Sequence, residues 1–254
     1  MIKLCPLFSS SSGNCTFIGD EKGGILIDIG VTCRKTENAL KAVGVDPRGI
    51  SAVFVTHEHS DHIAGIKVFA SKYNVPVYAS LGTLQGMNTA GCFKPGMKVM
   101  QLMPGGIEER DMFIKPFEIS HDAAEPTGYT VTLLSGAKYS VCTDLGFVPD
   151  KVKNSVSGSS EVLLESNHDV NLLKIGGYPP FLKRRILSDK GHLSNDACAE
   201  FASELIACGT KRIILGHLSR ENNLPPLARE TTRNALEERG AKEGTDYLLE
   251  VAKP

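Results

Sequence analysis

Short apolar runs of strand length recur along the chain, each bounded by glycine, proline or polar residues. The runs that predict strands occupy positions 24–28, 52–55, 76–78, 117–120, 129–134, 138–142, 162–164, 212–215 and 247–251. Apolar residues with helical spacing lie between some of them. The predicted helices run from the capping residue Thr32 to Gly44, over 64–72, from Ser194 or Asn195 to Gly209, and from Pro225 to about Gly240. Sheets flanked by helices, and hence an α/β fold, are the expected architecture.

Neither composition nor charge divides the chain into parts. With 41% hydrophobic and 22% charged residues the sequence is that of a globular protein, and no linker or repeat interrupts it, so we predict a single domain over 1–254. The formal net charge of −1 provides no global basic field, so a nucleic-acid partner would need a local patch. No apolar run reaches the length of a membrane span. The seven scattered cysteines and the absence of a recognisable signal peptide predict a cytoplasmic protein with reduced thiols.

Candidate chemistry is concentrated directly after the run at 52–55, where the chain reads Thr-His-Glu-His-Ser-Asp-His. His57 and His59 are two residues apart, so in extended backbone both side chains point the same way. Asp61 and His62 then fall in the first turn of the next helix. Four side chains of metal-ligating type within six positions predict a metal site.

Three further candidate ligands follow other predicted strands, namely His121, Asp144 and His217. Such strand ends converge on one edge of a sheet. One metal would be bound by His57, His59 and His121, the other by Asp61, His62 and His217, with Asp144 bridging them. Nitrogen and oxygen ligands without thiolate suit two divalent ions, Zn²⁺ or Mn²⁺ with Fe²⁺ as a further option. Two such ions would share a hydroxide that acts as the nucleophile.

The stretch 57–62 resembles the His-x-His-x-Asp-His signature of the metallo-β-lactamase superfamily. Residues 25–30 are similar to the strand and Asp-x-Gly that precede the signature, and 143–146 to its bridging-aspartate motif. The resemblance covers essentially the whole chain. It implies an αβ/βα four-layer sandwich, in which two mixed β-sheets are flanked by helices and a dinuclear site lies at one edge.

Within the superfamily the chain resembles the bacterial WalJ (YycJ) group, through residues 11–14, 165–169, 191–195 and 217–223. This resemblance implies a cytosolic phosphodiesterase, similar to enzymes that digest DNA as 5′→3′ exonucleases. DNA is therefore the expected partner, with RNA as an alternative. A true β-lactamase is disfavoured, because such enzymes typically have a cysteine where this chain has Asp144.

Glu165 and His192 look like the glutamate and histidine that related transfer-RNA 3′-processing nucleases place beside their metals. A carboxylate can hold a histidine in the tautomer that protonates a leaving oxygen. We therefore expect His192 to be the general acid and Glu165 to orient it, with Asp61 as the third catalytic residue. A purely structural Glu–His pair is the alternative. His168 lines the substrate pocket or only fixes its loop, and Asn14 is a candidate phosphate contact.

The one dense basic run is Lys183-Arg184-Arg185, which precedes His192 and either contacts substrate phosphates or forms a solvated face. The expected function is a dinuclear-metal phosphodiesterase, foremost a 5′→3′ DNA exonuclease. The alternatives are a thioester hydrolase of the glyoxalase II type, an RNA-processing nuclease, and a non-catalytic regulatory metal-binding protein. The oligomeric state does not follow from the sequence.

Overall fold

The computed structural model describes residues 2–253, which form thirteen strands and nine helices. The strands are β1 (Lys3–Ser10), β2 (Gly13–Asp20), β3 (Gly23–Ile27), β4 (Ile50–Phe54), β5 (Val77–Ala79), β6 (Val99–Gln101), β7 (Ile107–Glu109), β8 (Met112–Glu118), β9 (Thr127–Leu133), β10 (Lys138–Cys142), β11 (Glu161–Glu165), β12 (Arg212–Gly216) and β13 (Leu248–Val251). The helices are α1 (Cys33–Ala42), α2 (Ser60–Ile63), α3 (Ile66–Tyr73), α4 (Leu81–Thr89), α5 (Asp150–Val156), α6 (Val170–Ile175), α7 (Pro180–Ile186), α8 (Asn195–Ala207) and α9 (Pro225–Glu238).

The described chain divides into two compact units. The first contains the residues up to Pro116, Ala123–Thr127 and Lys253. Its six-stranded sheet has the order β1-β2-β3-β4-β5-β6, antiparallel from β1 to β3 and parallel from β3 to β6. All five residues of β3 are buried, as expected for a strand covered on both faces. The core of this unit includes Leu26 and Phe69.

The second unit contains Phe117–Asp122 and Gly128–Ala252. The second sheet has the order β13-β12-β11-β10-β9-β8-β7, with parallel pairing from β10 to β13. In register, Leu164 pairs with both Cys142 and Leu215. The carboxyl ends of β10, β11 and β12 therefore lie side by side, and the residues that follow them meet at one edge of the sheet.

The predicted strands and helices each overlap an observed one, with shifts of a few residues. The run at 117–120 is displaced most, because β8 ends at Glu118 and leaves Ser120 in the following loop. The strand β1 was missed, since it contains Pro6 and its pairing with β2 slips between Pro6 and Phe8. Proline is tolerated there because β1 is at the edge of its sheet. The strands β2, β6 and β7 and the short helices α4, α5, α6 and α7 were also missed, whereas α2 lies where the first helical turn was expected to hold Asp61 and His62.

Each unit has its own core, so the prediction of a single domain stays a prediction. Between residues 2 and 253, none of the helices is both long enough and apolar enough to cross a bilayer.

Candidate active site

In the first unit, the signature residues surround the end of β4. His57 and His62 are fully buried, and their ring centroids lie 4.1 Å apart. The His59 ring lies 4.5 Å from that of His57. Helix α2 begins directly after His59, and this abrupt change from extended to helical backbone turns Asp61 and His62 toward the same place. The structure thus brings the predicted cluster together.

Asp28 and Thr56 fix the orientation of the two buried histidines. The Oδ2 atom of Asp28 accepts from the Thr56 hydroxyl and from Nδ1 of His62, both at 2.8 Å. Because the hydroxyl proton is given to Asp28, the Thr56 oxygen can accept from Nδ1 of His57, 3.0 Å away. Protonation at Nδ1 makes Nε2 the ligand atom of both rings. Asp28 belongs to the Asp-x-Gly motif at 28–30, but its role in orienting His62 was not predicted from the sequence.

Asn14 and Gly30 bring β2 and the end of β3 against this cluster. The Asn14 amide nitrogen lies 3.4 Å from the Asp61 carboxylate and 3.1 Å from Nε2 of His62. A Cβ atom on Gly30 would lie 1.6 Å from the Asp61 backbone oxygen, so only glycine fits there. The predicted substrate residue Asn14 therefore touches two predicted ligands.

In the second unit, four site residues gather at the adjacent ends of β10, β11 and β12. One ligand atom each from Asp144, Glu165, His192 and His217 lies within 4.8 Å of the others. Nε2 of His121, from the loop after β8, lies 3.8 Å from Oδ1 of Asp144. All five belong to the predicted set, and the parallel register of the strands explains their proximity.

Glu165 joins this second cluster through both of its oxygens. Oε1 lies 2.9 Å from Nδ1 of His192 and 2.8 Å from Nδ1 of His217, while Oε2 accepts the backbone N–H groups of Leu145 and Leu193. Burial alone would raise the pKa of Glu165, but the two imidazoles outweigh it and hold that pKa well below its ordinary value. The carboxylate is therefore charged and orients both histidines.

Four of the predicted ligand histidines share one arrangement, in which Nδ1 is held by a neighbouring oxygen. The partners are Thr56 for His57, Asp28 for His62, the Gly191 carbonyl for His121 and Glu165 for His217. A carbonyl only accepts, so at His121 the proton must be on Nδ1. Burial also lowers the pKa of His121 despite the Asp144 carboxylate, which favours the neutral imidazole that binds metal.

The backbone is left-handed at three of the site residues. Asp28, Asp144 and His217 have φ values of 60°, 62° and 53°, each just beyond the end of a strand. This region disfavours residues other than glycine, and at functional sites such strain persists because the surroundings enforce it. No sequence pattern indicates this conformation at these residues.

His168 is the exception among the buried histidines. It is 1% exposed, and neither ring nitrogen has a hydrogen-bond partner among residues 2–253. Burial lowers its pKa to about 4, so the ring is neutral. Its backbone bridges to Ser194 just before α8. The assignment of His168 to substrate binding stays a prediction.

The basic run separates into three different environments on α7. Lys183 donates to the Lys174 carbonyl at 2.7 Å, and Arg185 forms two bonds to Asp122, one of 2.9 Å. Arg184 is exposed, and within the described chain it has neither an ion pair nor a side-chain hydrogen bond. The side chains of Lys183 and Arg185, which were expected to contact substrate phosphates, are therefore already partly engaged with protein oxygens.

The donor atoms of both clusters fit divalent metal ions. They are imidazole nitrogens, four of them on rings whose Nδ1 is held by an oxygen, and carboxylate oxygens, and every cysteine in the structure is a free thiol outside the two clusters. Such nitrogen and oxygen sets suit zinc and manganese.

Comparison with known proteins identifies the family. The family model of the metallo-beta-lactamase superfamily matches residues 10–217. The chain belongs to this superfamily. The exodeoxyribonuclease YycJ of Bacillus anthracis is 37% identical over 249 residues, which cover 98% of this chain and 94% of that protein. The exodeoxyribonuclease WalJ of Streptococcus pneumoniae is 37% identical over 255 residues, covering 99% and 94%.

The similarity to solved structures concerns the fold. The metallo-beta-lactamase fold protein YhfI from Bacillus subtilis superposes with a TM-score of 0.72 at 14% identity, covering 99% of this chain and 96% of that protein. The predicted fold is confirmed, with two mixed sheets flanked by helices, and so is the resemblance to the WalJ (YycJ) group. The protein is thus a hydrolase of this superfamily, and membership implies that its histidine and aspartate clusters bind divalent metal ions. The individual site residues remain predictions.

Proposed function

We propose that the protein is a metal-dependent 5′→3′ exonuclease that acts on DNA. The observation that carries the proposal is the Glu165 carboxylate, which orients one predicted ligand, His217, and one histidine outside the predicted ligand set, His192, with the same oxygen. A site that only binds metal has no need of the second histidine. The near full-length identity of 37% to proteins named exodeoxyribonucleases supports a nucleic-acid substrate, and DNA in particular.

The metals are proposed to be two divalent ions, Zn²⁺ or Mn²⁺. We assign them the ligands predicted from the sequence, which are His57, His59 and His121 for one ion, Asp61, His62 and His217 for the other, and Asp144 for both. The family model runs through both compact units, which supports a single functional domain that contains both clusters. Bound metal ions would activate the attacking water and neutralise charge on the phosphate.

The protein groups supply the proton for the leaving oxygen. Nδ1 of His192 faces Glu165, and the ring is 16% exposed, so its Nε2 edge is the one a substrate can reach. In the proposed reaction Nε2 of His192 gives a proton to the departing sugar oxygen, and Glu165 stabilises the charged imidazole. Asp61, half-buried beside Asn14, is the remaining carboxylate available to align the nucleophile.

The test is a comparison of substrates with metal-quantified protein. Single- and double-stranded DNA labelled at either end, RNA, and a glutathione thioester are incubated with the holoenzyme. Release of mononucleotides from the 5′ end of DNA is expected. Turnover of the thioester alone would establish a glyoxalase-type hydrolase instead. A preference for RNA would establish an RNA-processing nuclease, and no turnover of any substrate would establish a regulatory metal-binding protein.

We also propose that the protein is located in the cytoplasm. The seven free cysteines fit a reducing compartment.

A further inference from the structure

Helix α7 presents an aromatic ring and a cation on one face. Phe181 is 66% exposed, although the large apolar side chain of phenylalanine is ordinarily buried. Arg184 follows it by three residues, which places the two side chains on adjacent turns of the same helical face. Arg184 is also the member of the basic run whose guanidinium is not engaged by an acidic side chain of the described chain. Helix α7 therefore exposes an aromatic ring next to an arginine that no acidic side chain of the described chain engages.

The segment around α7 is basic in an otherwise balanced chain. Residues 170–190 contain five basic residues and one acidic residue, Asp189, whereas the whole chain has a net charge of −1. A second apolar side chain, Ile175, is 82% exposed at the end of α6. The bond from Lys183 to the Lys174 carbonyl links the end of α6 to the middle of α7. Positive charge and exposed apolar surface occur together here.

Helix α7 is attached to the proposed catalytic residues by backbone contacts in the same unit. The Ile186 carbonyl accepts from the N–H of His192 at 3.0 Å, and the Lys190 carbonyl accepts from the N–H of Asp122 at 3.1 Å. Asp122 directly follows His121 and binds Arg185. The face that carries Phe181 and Arg184 is thus fixed relative to both His121 and His192.

We propose that this face of α7 binds single-stranded DNA, with a base stacked on the Phe181 ring and a phosphate contacted by Arg184. This inference rests on the proposed exonuclease function and names the surface that binds the DNA strand. Proteins that bind single strands combine basic grooves with exposed aromatic rings, because every base can stack on a ring. The positive charge of this face would disfavour the binding of another protein unless the surface of that protein were acidic. A polyanion is therefore the favoured occupant.

The experiment measures binding apart from turnover. The dissociation constant of the holoenzyme for a fluorescent, phosphorothioate-linked single strand, which resists hydrolysis, is obtained by anisotropy over a range of salt concentrations. Phe181→Ala and Phe181→Leu should each weaken binding about 5- to 150-fold, the range expected for loss of one stacked base, whereas Phe181→Tyr should bind as the wild type does. Arg184→Ala should reduce the slope of log affinity against log salt by about 0.7, the value for one single-strand phosphate.

The matched controls are Leu134→Ala, which removes an apolar side chain that is 85% exposed on a hairpin, and Arg239→Ala, which removes an exposed arginine after α9. Both should bind as the wild type does. Wild-type affinity in Phe181→Ala, or full affinity in Phe181→Leu, would overturn the stacking role. A change in oligomeric state on sedimentation with unchanged DNA affinity would instead identify a protein-binding face. If the variants weaken DNA binding but the wild type never cleaves DNA, the proposed exonuclease function is refuted and the proposed DNA-binding face of α7 is retained.

Discussion

Oδ2 of Asp28 lies 2.8 Å from Nδ1 of His62, and both groups are buried. This carboxylate holds Nδ1 of His62 and leaves Nε2 as the nitrogen that the proposed metal site would use. Partners of this kind typically change metal affinity 10- to 100-fold when they are removed.

Asp28→Asn should therefore weaken metal binding about 10- to 100-fold while the protein stays folded. The amide keeps the shape of the side chain but removes the charge that stabilises the His62 N–H. Metal content after dialysis against graded chelator measures the effect, and circular dichroism checks the fold. Asp20→Asn, a change of the same type at the last residue of β2, is the control. Equal metal retention in the two variants would show that Asp28 does not tune the site.

His192→Gln should keep its metal and lose about 10²- to 10⁴-fold in kcat on DNA, the usual contribution of a general acid. The loss should be much smaller for a p-nitrophenyl phosphodiester, whose leaving group needs no protonation. Asp144→Ala should lose both metal and activity. Loss of metal from His192→Gln would make His192 a ligand, and equal losses on the two substrates would argue against proton donation.

Gly30→Ala should destabilise the protein by about 1–3 kcal/mol and lower its metal content. The added Cβ meets the Asp61 backbone oxygen and the Asn14 backbone nitrogen, so the start of α2 must move away from β3. Urea unfolding and metal analysis measure the two effects. Gly105→Ala, where a Cβ meets no atom within 4 Å, is the control and should be near neutral.

Glu37 offers a test of pH dependence away from the site. Hydrogen bonds from Lys72, Cys33 and Tyr73 lower its pKa from 4.5 to about 2. Because the folded pKa is depressed, the stabilisation is complete above the unfolded value, near pH 4.5, and is lost as the pH falls toward 2. Glu37→Gln should cost about 1–2 kcal/mol at neutral pH, after allowance for solvent screening, and little at pH 2.

Chemical unfolding at a series of pH values measures this difference. Glu238→Gln, at the exposed end of α9, is the control. If the difference in unfolding free energy between Glu37→Gln and the wild type did not change with pH, the assigned interaction of Glu37 with Lys72 would be contradicted.

The predicted ligands could be found from the sequence because they follow buried apolar strands, and parallel strands carry their ends to one edge. Glu165 and His192 were instead assigned from their resemblance to a pair in transfer-RNA 3′-processing nucleases. The sequence could not show that one Glu165 oxygen serves two histidines, because that depends on how β11 and β12 pair.

Contacts between distant residues were beyond the sequence analysis. The run Lys183-Arg184-Arg185 reads as one basic patch, yet Asp122 and the Lys174 carbonyl engage two of its members. The edge strand β1 was hidden by its proline, since an apolar pattern interrupted by proline does not read as a strand.

The left-handed backbone at Asp28, Asp144 and His217 has a consequence for attempts to make the protein more heat-resistant. Glycine would relieve the strain at these positions, but at Asp28 and His217 it would also remove buried hydrogen bonds to Thr56, His62 and Glu165. Each replacement would remove a group that anchors or forms the proposed metal centre. Engineering for heat resistance therefore has to leave these three strained positions unchanged and find its gains elsewhere in the fold.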